Sequence, residues 1–333
     1  MKIIAFFNNK GGVGKTSLVY HLAWMFGDLG YRVLAADLDP QANLSGMFLD
    51  ENRLEELWTG SGGCTIDRDI APLFEGTGDI SIAPHIEKLS ERIGLLSGDL
   101  ALSKREDELS AQWPKCLDED DRAFRVVTAF SRLIQHAGSF QADIALIDVG
   151  PNLGAINRVA LIASDHVIIP LAPDLFSLQG LRNVGPTLKK WRKDWRKRLE
   201  AKPDNLDVEL PSGNMQPAGY VIMRHSVRLS RPVQAYARWI SQAPSTYMEY
   251  VLEEQKIRDS DRAEDDEHCL AHLKDYRSLM PMAQETRKPM FMLKPADGAI
   301  GAHQAGVAKC YNDFKILAEK IITTCGIPAL DES

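Results

Sequence analysis

Short apolar segments alternate along the chain with stretches whose apolar residues recur at helical spacing. The first apolar run predicts a strand over Lys2–Phe7, a helical pattern follows over Ser17–Gly27, and a second apolar run predicts a strand over Arg32–Asp37. These runs lack the strict alternation of apolar and polar residues that is typical of a sheet with one solvent-exposed face. Continuous apolar strands are typical of a parallel sheet that is covered on both faces. The pattern therefore predicts a βαβ unit at the start of the chain.

Further strands are expected beyond this unit, and helical patterns separate most of them. They are Asp79–Ala83, Asp143–Asp148, His166–Leu171, Ala218–Met223 and the short Met290–Leu293. This alternation predicts an α/β fold, a doubly wound, mainly parallel sheet with helices on both faces and right-handed crossovers. We interpret 1–333 as a single domain, because the proline-containing stretch Lys202–Pro217 lies inside the pattern as a loop.

A glycine-rich segment, Lys10–Thr16, joins the first strand to the first helix. Its spacing matches the G-x-x-x-x-G-K-[ST] phosphate-binding loop, with Asn9 in the place of the first glycine. The glycines let the backbone approach an anion, and the N-terminus of the following helix attracts one. Lys15 supplies a charge for the β and γ phosphates, and the Thr16 hydroxyl can ligate Mg²⁺. The alternative is a glycine-rich turn without a ligand, which explains neither the Lys-Thr pair nor the spacing.

The loop also carries a second lysine, Lys10, that ordinary phosphate-binding loops lack. Lys15 is a candidate catalytic residue, because a cation beside a transferring phosphoryl group stabilises the charge that develops there. Nucleotide phosphates are expected to contact the loop and the first helical turn. The residues concerned are Lys10, Gly11, Gly12, Val13, Gly14, Lys15, Thr16 and Ser17.

Carboxylates at the ends of two strands can complete such a site, because ligands of open α/β sheets bind at the carboxyl ends of strands. Asp148 follows four apolar residues, as does an aspartate that holds Mg²⁺ through water. Asp37 and Asp39 end the second strand, and alternation places them on one side of it. We expect Asp148 to join Thr16 at the metal. Of Asp37 and Asp39, one can order the metal shell while the other orients an attacking water. The alternatives are a helix cap at Asp148 and a turn at Asp39.

Composition limits the classes of protein that this chain can be. Hydrophobic residues make up 44% and charged residues 26% of the 333, which is typical of a globular domain. No apolar stretch approaches the roughly 20 residues of a membrane span, and the first strand leads directly into the loop, so no cleaved signal peptide is expected. The five cysteines are scattered without a C-x-x-C pair, which favours a reducing cytoplasm and no metal cluster. We therefore expect a cytoplasmic protein without a membrane partner.

Charge is unevenly distributed, although the net charge is only −7. Between positions 182 and 198 there are eight lysines and arginines against one aspartate, and Trp191 and Trp195 fall with two leucines on one helical stripe. The segment is a surface helix with solvated charges, a nonspecific DNA-binding surface, or a docking site for an acidic partner such as the chain's own Glu253–Glu267. The candidate DNA-binding residues are Lys189, Lys190, Arg192, Lys193, Arg196 and Lys197.

Three segments resemble, in order, the deviant Walker A, A′ and B motifs of the ParA/MinD (Soj-like) ATPases. They are Lys10–Thr16, Asp37–Asn43 and Asp148–Gly154. The stretch Val167–Gly180 is similar to the segment that follows Walker B in this family. The resemblance is specific over residues 1–50 and 141–184 and weaker elsewhere.

The resemblance implies a Mg²⁺-dependent ATPase whose two copies enclose ATP between them and hydrolyse it slowly, so that dimerisation becomes a switch. In this family the lysine matching Lys10 crosses to the partner's nucleotide, which makes Lys10 a candidate catalytic residue. The lysine matching Lys15 binds phosphate, and the threonine matching Thr16 binds Mg²⁺. The aspartate matching Asp39 promotes attack by water, so Asp37 is assigned to the metal with Thr16 and Asp148. Adenine contacts are expected at Met223, Arg224 and Pro295.

Together these features favour a ParA-like switch that partitions DNA or positions a cargo, with ATP and Mg²⁺ as ligands. Nonspecific DNA and an activating protein are candidate partners, and the nucleoid is a candidate location. Residues Val233–Arg287 do not match the family pattern and are interpreted as an insertion. They support the alternative, a regulatory or scaffolding ATP-binding subunit of a mobile-element or phage-defence system that binds its partner through the insertion. His21, His85 and His166 are expected to be structural.

Overall fold

One sheet of eight strands organises the residues that the computed structural model describes. These are residues 1–59, 63–223, 233–254, 266–276 and 278–330, with only the backbone described for 233–237. The strands are β1 (Lys2–Phe6), β2 (Val33–Asp37), β3 (Glu87–Lys88), β4 (Ile93–Leu96), β5 (Ile144–Asp148), β6 (His166–Leu171), β7 (Gln216–Met223) and β8 (Cys269–Leu273). Their order is β3-β4-β2-β5-β1-β6-β7-β8, and all neighbours are parallel except β3 and β4. The predicted doubly wound, mainly parallel sheet is confirmed.

Helices cover both faces of this sheet. They are α1 (Lys15–Asp28), α2 (Asn43–Phe48), α3 (Glu51–Thr59), α4 (Ile66–Glu75), α5 (Glu106–Lys115), α6 (Asp121–Val127), α7 (Ala129–His136), α8 (Ala155–Ile162), α9 (Leu175–Glu200), α10 (Val233–Tyr247), α11 (Leu279–Thr286) and α12 (Ala302–Thr324). A π-helical turn, Met248–Leu252, follows α10, and two 3₁₀ turns, Met290–Met292 and Pro295–Asp297, precede α12. Among the helices of the described residues, none is long and apolar enough to span a bilayer.

Apart from the short edge strand β3, the strands send side chains into two separate cores, one on each face of the sheet. At β1, Ile3 and Ala5 belong to one core, whereas Ile4 and Phe6 belong to the other. The first core contains residues of α4 to α9, and the second contains residues of α1 to α3, α11 and α12. The continuous apolar run that predicts β1 therefore reflects helices on either side of it.

The register of the central strands brings the predicted carboxylates together. Asp37, the last residue of β2, lies beside Asp148, the last residue of β5, and Phe6 of β1 lies on the other side of Asp148. The carboxyl ends of these parallel strands meet at one edge of the sheet, where β1 passes into the segment Lys10–Thr16. The topology thus gathers at one place residues that are far apart in the chain.

The predicted strand Asp79–Ala83 is wrong. This segment has bends and irregular backbone, and its Ile82 is 85% exposed. The Asp79 carboxylate accepts hydrogen bonds from Arg125 and Arg132 at 3.0 and 2.6 Å, which fixes the segment against helices and not in the sheet. At this end of the sheet the strands are instead β3 and β4. The sequence pattern does not reveal them, because β3 has only two residues and β4 only four.

The predicted strand Met290–Leu293 is also wrong, because the chain turns there. The N–H of Met292 donates to the carbonyl of Pro289 at 2.9 Å and closes a 3₁₀ turn. The last strand is instead β8, which pairs in parallel with β7.

The interval 233–287, interpreted as an insertion, contributes β8 to the common sheet. Positions 255–265 and 277 within it lie outside the described residues. The division of the chain into one domain with an insertion stays a prediction.

The helical stripe of the basic segment is confirmed in α9, which is 26 residues long. Leu188, Trp191 and Trp195 are buried, and Leu199 packs half-buried against the same core. The indole Nε1 of Trp195 donates to the carbonyl of Pro211 at 2.9 Å, which ties α9 to the loop before β7. The tryptophans are therefore core residues, and the exposed lysines and arginines lie on the other sides of α9.

Candidate functional site

The segment Lys10–Thr16 forms a loop with left-handed backbone between β1 and α1. Gly12 and Gly14 have φ of 71° and 88°, which residues with a Cβ rarely adopt. Gly14 directly precedes α1 and provides no side-chain cap. The first N–H groups of α1 are therefore available to an anion, as phosphate binding requires.

Lys15 turns back into this loop. It is 7% exposed, and its Nζ donates to the carbonyl oxygens of Asn8 at 3.2 Å and Lys10 at 3.4 Å. Burial lowers the pKa of Lys15, and the carboxylates of Asp148 and Asp39 act in the opposite direction. An ammonium group bonds more strongly to an anion than to a neutral carbonyl, so phosphate oxygens would hold it better than its present partners.

Asp37 and Asp148 form a buried acidic pair, each 0% exposed. Oδ2 of Asp37 accepts hydrogen bonds from the N–H and the hydroxyl of Ser45 at 2.7 and 2.8 Å. Oδ1 of Asp37 and both carboxylate oxygens of Asp148 accept none from the residues that the structure describes. Burial raises the pKa of Asp37 to about 7, and burial together with Asp37 raises the pKa of Asp148 well above its usual range. Two such carboxylates side by side are unfavourable without a cation.

The acidic pair fits a divalent cation. The Thr16 hydroxyl lies close enough to Asp148 to lower its pKa, against the effect of burial. Within the described ranges, no group of three or more His, Cys, Asp or Glu side chains could hold a metal ion. Mg²⁺ does not need one, because it binds through one or two carboxylates and takes its other ligands from water and phosphate. The structure thus gathers Thr16, Asp37 and Asp148, and their role as metal ligands stays a prediction.

Asp39 lies beside the acidic pair and is 7% exposed. Its Oδ1 accepts the N–H of Gln41 at 3.0 Å, and a Cβ on Gly150 would lie 3.3 Å from the same oxygen. The loop after β5 therefore passes directly against Asp39. A carboxylate held next to a metal site, and not within it, is suited to orienting a water molecule.

Lys10 pairs with a residue that sequence reasoning missed. Its Nζ forms a salt bridge with Asp174, and the Lys10 side chain is 25% exposed. Asp174 also accepts the N–H of Ser177 at 2.9 Å and so caps α9. The N–H of Lys10 donates to the side-chain oxygen of Asn8 at 3.0 Å. A signal for Asp174 exists in the sequence, since an aspartate between a strand and a helix is a typical N-cap.

The three predicted adenine contacts lie in different settings. Met223 ends β7 and is 7% exposed in the core that also holds Phe291. Pro295 is exposed at the start of the turn Pro295–Asp297. Arg224 lies outside the described residues. These contacts stay predictions.

Five of the six candidate DNA-binding residues line one cavity of about 640 Å³ between α9 and the turn Met248–Leu252, which we call the basic groove. They are Lys189, Arg192, Lys193, Arg196 and Lys197. Lys190 is exposed but is not among the residues that line the groove. The groove also contains Glu253, whose carboxylate oxygens each lie 2.6 Å from Nζ of Lys189. Burial lowers the pKa of Arg192, and the charge of Arg196 adds to this effect.

Several solved structures resemble the whole fold. A protein from Corynebacterium diphtheriae is 23% identical, with a TM-score of 0.73 over 97% of this chain and 98% of that chain. McdA from Cyanothece, solved as a variant in complex with ATP, is 18% identical, with a TM-score of 0.61 over 100% of this chain and 99% of that chain. At sequence identities this low, the structural similarity establishes only a shared fold.

Sequence comparisons identify the family. Residues 1–201 match the AAA domain family. The sporulation initiation inhibitor protein Soj from Bacillus subtilis is 31% identical over 191 residues, which cover 56% of this chain and 65% of Soj. Protein IncC from Escherichia coli is 30% identical over 224 residues, which cover 63% of this chain and 52% of IncC, so the chain spans between about half and two thirds of these relatives. The chain therefore belongs to the AAA domain family and is a P-loop ATPase of the ParA/MinD type.

Proposed function

We propose that the protein is an ATP-dependent dimerisation switch. It binds Mg²⁺-ATP, associates with a second copy across the nucleotide, and hydrolyses the nucleotide slowly to partition DNA or position a cargo. The observation that carries the proposal is the apolar rim beside Lys10, formed by Leu153, Leu175 and Phe176, which are 44%, 49% and 64% exposed. Exposed apolar side chains grouped at a ligand site are typical of an interface.

The apolar rim lies on both sides of the glycine-rich loop. Leu153 belongs to the loop after β5, whose Pro151 would lie 3.9 Å from a Cβ on Gly11. Phe176 lies in the first turn of α9, and its ring centroid is 6.0 Å from Nζ of Lys10. A second copy that met this rim face to face would bury the apolar side chains and bring its Lys10 to the phosphates of the first copy.

The chemistry divides between the two copies. Lys15 and the N–H groups of the loop bind the phosphates, and Asp39 orients the attacking water. Bound Mg²⁺ would be held by Thr16, Asp37 and Asp148 and would polarise the phosphate oxygens. Lys10 of the second copy stabilises the charge that develops on the γ-phosphate, as an arginine finger does. Lys10 must leave Asp174 to do this, so association and release of that salt bridge go together.

Size-exclusion chromatography with light scattering tests the switch, with no nucleotide, ATP or a non-hydrolysable analogue. The wild type should dimerise with either triphosphate, Lys15→Ala should stay monomeric, Lys10→Ala should bind ATP without forming a stable dimer, and Asp39→Ala should remain dimeric in ATP. Phe176→Ser should lose the dimer but keep ATP binding. Leu117→Ser is the matched control, because Leu117 is also apolar and 47% exposed but lies outside the rim.

A wild type that binds ATP and remains monomeric under every condition would overturn the sandwich dimer. That outcome would instead support the regulatory or scaffolding subunit, for which dimerisation is not required.

For the partition role we propose that the dimer binds nonspecific DNA through the basic groove. The clustered lysines and arginines of the groove support this proposal, because such clusters bind DNA by neutralising its phosphates. Binding of this kind predicts that retention of the protein on DNA falls steeply as the salt concentration rises. Lys193→Glu combined with Lys197→Glu should abolish ATP-dependent retention on a DNA column, whereas Lys190→Glu, outside the groove, should have little effect. Glu253→Gln should strengthen retention, because Glu253 competes with phosphate for Lys189. Retention that needs no ATP or resists salt would contradict this role.

A further inference from the structure

His21 lies in the second turn of α1 and is fully buried. Its Nδ1 donates to the carbonyl of Ser17 at 2.7 Å, and its Nε2 accepts the main-chain N–H of Met290 at 3.2 Å. A carbonyl can only accept and an N–H can only donate, so the ring is fixed as the neutral tautomer with a proton on Nδ1. The two bonds join the first turn after the glycine-rich loop to a segment near the other end of the chain.

The faces of the imidazole are also occupied. Phe314 of α12 stacks on it with ring centroids 5.1 Å apart and an interplanar angle of 25°, and Phe291 approaches its edge at 5.9 Å. Burial lowers the pKa of His21 to about 4, so the ring stays neutral at physiological pH. Its position is thus set by contacts from α1, α12 and the turn Met290–Met292.

The segment 288–297, to which His21 is bonded, is closed on itself. Nζ of Lys288 lies 2.6 Å from Oδ1 of Asp297, which joins the start of the segment to its end. Oδ2 of the same carboxylate accepts the main-chain N–H of Lys294 at 2.9 Å. A segment closed in this way moves as a unit, and the hydrogen bond to His21 fixes this unit to α1.

We infer that His21 is a positioning residue that holds the segment 288–297 against the phosphate-binding helix, and so sets the nucleoside end of the site relative to its phosphate end. This inference rests on the proposed nucleotide binding. A nucleotide with its phosphates in the loop must extend past the loop, and this segment packs within two helical turns of it with Pro295 exposed. Loss of the bond to Met290 would leave phosphate contacts intact while loosening the groups that meet the nucleoside.

The test compares ATP with inorganic tripolyphosphate, which has the phosphates and no nucleoside. Dissociation constants are measured by titration calorimetry in Mg²⁺ for the wild type, His21→Phe and His21→Gln. His21→Phe keeps a ring between Phe291 and Phe314 but cannot accept the N–H of Met290. It should weaken ATP binding about tenfold and tripolyphosphate binding less than about twofold. His21→Gln should restore most of the ATP affinity, because its amide can both accept and donate.

Tyr20→Phe is the matched control, because Tyr20 is the buried neighbour of His21 on α1 and its hydroxyl makes no hydrogen bond within the described part of the chain. It should leave both affinities unchanged. Met290→Pro breaks the same hydrogen bond by removing its donor, at the first position of a 3₁₀ turn where proline is tolerated. It should change the two affinities as described for His21→Phe, and it provides the test if His21→Phe does not fold.

The outcomes separate the two proposals. A wild type that binds neither ATP nor tripolyphosphate would contradict nucleotide binding itself. A wild type that binds both, with variants that weaken both equally or neither, would overturn the positioning role of His21.

Discussion

The acidic pair, Asp37 and Asp148, and the imidazole of His21 are all fully buried polar groups near the same loop. Burial moves each of them toward its neutral form, raising the pKa of Asp37 to about 7 and lowering the pKa of His21 to about 4. They differ in their hydrogen bonds. Both nitrogens of His21 have partners inside the chain, whereas three of the four oxygens of the acidic pair have none among the described residues.

This difference separates two uses of a buried polar group. A group whose hydrogen bonds are all made inside the chain can position one element against another, because nothing has to enter or leave. Two buried carboxylates side by side with unmade hydrogen bonds are costly, and a bound cation would relieve that cost. The same protein therefore contains one buried polar centre whose hydrogen bonds are all made within the chain and one with three oxygens that have no partner among the described residues.

The largest expected effect comes from Asp148→Asn. We expect ATP turnover to fall about a thousandfold, ~4 kcal/mol, because Asp148 is a proposed ligand of Mg²⁺. The free energy of unfolding without nucleotide should rise by about 1–2 kcal/mol, because an uncompensated buried carboxylate is removed. Phosphate release and urea unfolding measure the two effects. Asp118→Asn, an exposed aspartate, is the control. Reduced stability together with normal turnover would show that the acidic pair is structural.

The second expected effect concerns pH and His21. In the unfolded chain His21 binds a proton below about pH 6.5, whereas in the folded protein it binds one only below about pH 4. The free energy of unfolding should therefore fall as the pH decreases through this window, by up to about 3 kcal/mol. Asp37 acts in the opposite direction, because its raised pKa favours the folded state at low pH.

The comparison of wild type with His21→Gln isolates the imidazole, since Asp37 is present in both proteins. Urea unfolding across the window should show the stability advantage of the wild type shrinking toward pH 4. A difference that is independent of pH would mean that His21 is not buried in its neutral form.

The loop and its carboxylates are predictable from the sequence because their signals are local. Lys10–Thr16 is one continuous segment, and Asp37 and Asp148 each follow a short apolar run that directly predicts its strand. The parallel sheet then places the two strand ends together by a general rule of α/β folds.

The remaining parts depend on partners that are distant in the chain. Ser45 reaches Asp37 only after α2 folds back on β2, and the salt bridge of Lys10 depends on the start of α9. His21 has a purely apolar context in the sequence, which is why it is expected to be structural, and its bond to Met290 spans 269 positions. The prediction of a strand at Asp79–Ala83 fails because this segment is not among the strands of the described sheet, although its Ile80 is buried in the first core.

A smaller effect is expected for Ser45→Ala. The Ser45 hydroxyl donates to Oδ2 of Asp37 at 2.8 Å and accepts the N–H of Gly98 at 2.9 Å. Its removal leaves Oδ2 of Asp37 with one hydrogen bond instead of two. The free energy of unfolding should fall by about 1–2 kcal/mol, and Mg²⁺ should recover part of this loss. Thermal unfolding with and without Mg²⁺-ATP measures both. Ser103→Ala, which removes an exposed hydroxyl, should change neither. Equal effects in the two variants would contradict the special environment of Asp37.

The smallest effect is expected for the pair of Lys189 and Glu253 in the basic groove. The two charges are paired with each other, as the nitrogens of the neutral His21 are paired within the chain, but the side chains of Lys189 and Glu253 are 61% and 50% exposed. Water and salt screen such a pair, so Lys189→Ala should change the free energy of unfolding by less than about 0.5 kcal/mol. A double-mutant cycle with Glu253→Ala, measured by urea unfolding at low and high salt, gives the coupling energy directly. A coupling energy above about 1 kcal/mol that persists in high salt would show that this pair organises the groove despite its exposure. It would also show that burial alone does not decide which polar contacts of this protein hold its helices, strands and turns in position.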